Sequence, residues 1–167
     1  MKPLTVILLL ALSTSARAET IDQLPFVRAL NEGRAVAPLP DEAMFQQAAS
    51  EMKRITGDPG PVTVLAVRLF RFEKQPLCGR ITFGLYQESR RQVWGQAGGQ
   101  LNICQNGLPP DRICPEKPKT LVPFDAKCRN GQASIDTPEV AAAVQAAVAA
   151  GGLSEKEVFN RIHRGPK

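Results

Sequence analysis

The sequence predicts a single α+β domain with a small antiparallel sheet of three to five strands, two helices before it, two after it, and two disulfides. Three observations carry this expectation. Apolar residues recur first at helical spacing, then at the two-residue spacing of strands, then at helical spacing again, and elements segregated in this way build a sheet with helices against one face. Four cysteines, Cys78, Cys104, Cys114 and Cys128, follow what reads as an export leader; an even count in an exported chain implies disulfides. The chain has 167 residues, which after loss of a leader matches the usual size of one domain.

Met1, Lys2 and Pro3 precede an apolar run from Leu4 to Leu12, and Ala16-Arg17-Ala18 supplies small residues two apart. That is the order of a secretory signal peptide cleaved after Ala18. The expected organisation is a leader over 1–18 and one folded domain over 19–167, placed in the periplasm or secreted. That run is too short to span a bilayer, and no stretch of eighteen or more apolar residues occurs elsewhere in the sequence, so no transmembrane segment is expected after cleavage. With 43% hydrophobic and 22% charged residues, the composition excludes a collagen, a disordered tail and an integral helical membrane protein.

Asp22 is expected to cap a first helix running to about Asn31, with Gly33 just beyond it, and Asp41 a second, where Met44, Phe45, Ala48, Met52 and Ile55 recur before Gly57. Ala35 to Pro40 reads as an extended linker between them. After the breaker Asp58-Pro59-Gly60-Pro61, strands are expected over 62–72, over a run containing Ile81, Phe83 and Leu85, and over about 92–104. Gln105 to Pro118 reads as loop. Short strands are expected within 121–128 and 133–135, with Asn130-Gly131 as a turn between them. Asp136 or Thr137 then caps an alanine-rich helix that starts at Pro138 and stops at Gly151-Gly152, and Ser154 with Glu157 opens a last one carrying Val158, Phe159 and Ile162.

A hairpin turning at Ser89 to Gln92, with one bulge residue near Gly98-Gly99, sets Ile81 opposite Leu101, Gly79 opposite Ile103 and Cys78 opposite Cys104. Four cysteines allow three connectivities, and this register favours Cys78–Cys104 with Cys114–Cys128. A symmetric preceding hairpin puts Leu65, Val67 and Leu69 on the apolar face with Ile81, Phe83 and Leu85. The other face collects Arg80, Thr82, Tyr86, Gln96, Gln100 and Asn102, and sets Tyr86 beside Trp94 as an exposed pair. Aromatic rings next to arginines suit a contact surface, so Tyr86, Trp94, Arg80, Arg90 and Arg91 are the expected binding residues.

Charge points the same way. Without Lys2 and Arg17 the chain keeps 19 basic and 16 acidic residues; 61–135 hold 11 basic and 5 acidic ones, whereas 19–60 hold 4 and 7. A basic middle suits an anionic protein or an envelope polyanion, while export disfavours nucleic acid. No C-x-x-C pair suggests a metal site or a redox pair, no glycine-rich loop follows a strand to hold a nucleotide, and His163 sits alone near the chain end. No metal and no cofactor are therefore expected. The expectation is a non-catalytic binding or interaction module. The alternatives are a small secreted hydrolase using the loop carboxylates Glu88, Asp111, Glu116 and Asp125, or an accessory subunit of an envelope assembly docking through the alanine-rich helix.

Overall fold

A computed structural model describes residues 24–151. The leader, Asp22 and the last expected helix with His163 lie outside the described residues.

Helix α1 (Pro25–Glu32) begins with a proline, whose missing N–H is no loss in a first turn, and ends at Gly33, left-handed at φ 91°. Strand β1 (Arg34–Pro38) follows at once. The expected linker is thus a strand in most of its length, pairing with β2 (Val62–Arg71) from Arg34↔Val67 to Pro38↔Thr63. Pro38 and Arg34 disguise it, and they are tolerated because β1 is an edge. Helix α2 (Ala43–Thr56) starts behind Glu42 rather than Asp41 and has no side-chain cap; Gln46 Nε2 instead donates to the Pro40 carbonyl at 3.0 Å.

β3 (Cys78–Gln87) and β4 (Gln92–Cys104) complete an antiparallel sheet in the order β1-β2-β3-β4. β5 (Arg112–Cys114) and β6 (Lys117–Val122) form a separate two-stranded sheet. β5 falls in the segment read as loop, because a three-residue strand is too short to show alternation. Of the strand expected over 133–135 only the isolated bridges Ile113↔Ile135 and Lys127↔Ala133 form. Disulfides join Cys78 to Cys104 and Cys114 to Cys128.

Both hairpin registers correct the expected faces. Val67 pairs with Thr82 and Leu65 with Gly84, so these two side chains share the face of Thr82 and Tyr86, not that of Ile81 and Phe83. One residue of offset suffices for this, since side chains alternate. On the β3–β4 side the outer half is as expected, from Cys78↔Cys104 to Phe83↔Gly99. Beyond it Leu85 pairs with Trp94, leaving Gly95, Gln96, Ala97 and Gly98 opposite Gly84 alone. The bulge is longer than the single residue expected, and it reverses which side Trp94 faces. Gly98 is required there: a methyl group would overlap the Phe83 carbonyl oxygen and the Gly84 Cα.

The face that carries α1 and α2 holds two clusters. Val27, Ala29 and Leu30 of α1 pack on Ala35, Ala66, Ile81 and Ile103, while Ala49 and Met52 of α2 pack on Val62 and Leu85, with Trp94 half-buried alongside. Fully burying side chains such as Leu30, Ile81 and Met52 contributes on the order of 2–3 kcal/mol each. The opposite face carries Leu65, Val67, Tyr86 and Val93.

Helix α3 (Pro138–Ala149) lies on this second face, so the helices do not share one side as expected. Thr137, not Asp136, caps it, its Oγ1 accepting from the Val140 N–H at 3.4 Å. Asp136 instead accepts from Arg112 Nε at 2.9 Å. Val140 is buried with Phe72 and the Cys78–Cys104 pair, and Ala143 packs on them. Glu139 accepts from the backbone N–H groups of Glu73 and Lys74 at 2.6 and 3.2 Å, fastening the first turn of α3 to the β2–β3 connection.

Candidate functional site

Between α3 and the second face of the sheet lies a cleft of about 430 Å³. Arg80 and Thr82 of β3 and Gln100 of β4 form one wall, the bulge glycines Gly95 and Gly98 its edge, and Val148 of α3 the other side. The alternation of β3 brings Arg80 and Thr82 to this face, and the register across Arg80↔Asn102 and Thr82↔Gln100 supplies their neighbours.

Arg80 is only 6% exposed. Its Nε donates to Gln100 Oε1 at 2.7 Å and its Nη1 to Asn102 Oδ1 at 2.8 Å. Both acceptors are neutral amides, and no carboxylate among the described residues forms a salt bridge with it. Burial pushes the guanidinium below its ordinary pKa, yet arginine stays charged at neutral pH. A cation taken from water without a counter-ion is costly. The amides fix the plane of the guanidinium and leave Nη2 without a partner among the described residues. Thr82 Oγ1 is occupied, donating to the Gly99 carbonyl at 3.2 Å.

The other expected contact residues are not gathered here. Tyr86 is buried at 6% exposure with Leu65, Val67 and Val93, and Arg34 stands over its ring at 5.9 Å. Trp94 faces the other side, toward α2. Arg90 and Arg91 are exposed at the β3–β4 turn, where Arg91 adopts φ 50°. There Asp58 has its carboxyl held below the ordinary range, first by the Gly60 N–H, then by the Ser89 hydroxyl and the Arg90 charge. The sequence pattern brought Arg80, Thr82, Gln100 and Asn102 together; burial of the alanine-rich helix against the sheet was legible too, but not which face it covers, because its run has no polar side to orient it.

Two of the four loop carboxylates share a groove and the other two lie apart from it. Asp111 and Asp125 line one groove, Glu88 lies in the β3–β4 turn, and Glu116 accepts from the Arg129 N–H at 3.0 Å. Glu116 also lies within 4.8 Å of the Cys114 and Cys128 sulfurs, but those sulfurs are joined as a disulfide and cannot serve as thiolate ligands. No protein-family model matches the chain, and neither the curated proteins nor the solved structures yield a significant match.

Proposed function

We propose that the protein is an exported, non-catalytic binding module that takes an anionic group, borne by a protein or an envelope polyanion, into the Arg80 cleft. The observation that carries this reading is a buried guanidinium held by two neutral amides and lacking a carboxylate among the described residues. An incoming carboxylate or sulfate supplies the missing counter-charge at a site already oriented, so little ordering cost opposes binding.

Two disulfides suit an oxidising compartment such as the periplasm or the exterior. No helix of the described residues is long and apolar enough to cross a membrane.

Calorimetric titration of the disulfide-bonded protein with trigalacturonate and with an oligoglutamate peptide tests the reading. Binding of either probe that falls about tenfold or more in Arg80→Gln, a loss of at least ~1.4 kcal/mol, supports it. Binding should also weaken with salt. Failure of both probes to bind, or undiminished binding by Arg80→Gln, overturns it.

A further inference from the structure

A second concave surface, separate from the Arg80 cleft, lies at the end of the sheet where the Cys78–Cys104 disulfide meets the loops before β5 and after β6. It is a groove of about 740 Å³, within the range of sites that hold small ligands or peptide side chains. Its apolar part comes from the disulfide with Leu77, Leu108 and Phe124. Leu77 is 61% and Leu108 48% exposed, so the two side chains present adjoining apolar surface to a ligand. Its polar rim carries two carboxylates, Asp111 and Asp125, and no lysine or arginine among the described residues. That sign is unusual in a stretch where basic residues outnumber acidic ones 11 to 5.

The walls are fixed by hydrogen bonds. The buried Gln75 amide grips Asp111 from both sides, donating to its carbonyl at 3.1 Å and accepting from its N–H at 2.8 Å. The Cys104 N–H donates to the Leu108 carbonyl at 2.8 Å, the Gln105 N–H to the Leu77 carbonyl at 2.9 Å, and the Leu108 N–H to Asn106 Oδ1 at 3.0 Å. The salt bridges among the described residues use neither Asp111 nor Asp125. Both carboxylates are exposed.

From this apolar floor and its anionic rim we infer that the groove docks an extended peptide segment carrying an aliphatic side chain beside a lysine or arginine. The aliphatic group covers Leu77 and Leu108, and the cation meets the anionic rim; a preformed wall keeps the ordering cost low. This inference does not rest on the Arg80 cleft.

Amide chemical shifts of the disulfide-bonded protein, followed during titration with acetyl-Leu-Arg-amide and separately with acetyl-Leu-Glu-amide, decide it. The arginine peptide should move the resonances of Leu77, Gln105 to Asp111 and Asp125 in a saturable way, and the glutamate peptide should not. Asp111→Asn with Asp125→Asn should weaken the arginine peptide by about tenfold while leaving the amide spectrum native in pattern. Arg80→Gln should leave it unchanged, which separates this site from the cleft. Equal binding of both peptides, no saturable shift with the arginine peptide, or groove resonances that instead move on dilution of the protein alone, as a second copy would cause, overturns the inference.

Discussion

Tyr86 and Trp94 point to opposite faces of the sheet. Tyr86 pairs with Val93 and Trp94 with Leu85, and the two rings belong to different hydrophobic clusters, one beneath Arg34 and one against α2. The two largest polar-tipped aromatics of the strands therefore stabilise separate layers, and neither forms the exposed pair that a shorter bulge would have made.

Truncation should grade these two positions. Tyr86→Ala should cost about 3–5 kcal/mol as a buried aromatic, and Trp94→Ala less, about 1–3 kcal/mol, because its ring is half-buried. Urea unfolding followed by circular dichroism gives both values, and iodide should quench Trp94 fluorescence in part. Equal costs at the two positions would contradict the assigned faces.

The bulge offers a paired test in adjacent glycines. Gly98→Ala forces a methyl into the β3 backbone and should destabilise by about 2 kcal/mol or more. At Gly99 the added carbon meets only the Phe83 ring at 3.5 Å, an ordinary contact, and Gly99→Ala should stay within about 1 kcal/mol of the parent. Thermal unfolding of the two variants side by side measures the difference.

Arg80 should show a dissociation between stability and binding. Arg80→Met removes a buried charge and should change stability by no more than about 1 kcal/mol, or raise it. Gln100→Leu and Asn102→Leu leave the charge buried without its acceptors and should each cost about 1–3 kcal/mol. A strongly destabilised Arg80→Met, measured by urea unfolding, would make the arginine a structural element.

The bridges should differ modestly. Replacing Cys78 and Cys104 together by serine opens the longer loop, a sequence separation of 26 against 14 for Cys114 and Cys128. Each loss should cost about 2–4 kcal/mol, the longer loop more. Denaturation midpoints of the two double variants, each retaining the other bridge, provide the comparison.

The sequence made the strand order legible from β2 to β4, together with the outer half of the β3–β4 ladder, because Ile81, Leu101 and Ile103 alternate cleanly and the cysteines sit opposite each other. The faces of the first hairpin were not legible. Leu65, Ala66 and Val67 are all apolar and buried, so alternation gives no sign of which residue turns toward α1. The length of the bulge was hidden too, since Gly95, Gly98 and Gly99 tolerate several pairings and only packing selects one. Of the site, the polar row of Arg80 with Gln100 and Asn102 could be read; the groove could not, because its parts come from three separated loops.

Helix α3 is fastened at one end among the described residues. Every strong attachment among the described residues lies at its first turn: the Thr137 cap, the Glu139 grip on Glu73 and Lys74, and buried Val140. Its far end, with Val148 at 76% exposure, forms the outer wall of the Arg80 cleft. The outer wall of the cleft is therefore the part of α3 least fastened among the described residues, and its inner wall, the sheet, is the fixed one. Amide exchange along the helix should register this gradient as protection that declines from Ala141 toward Ala149.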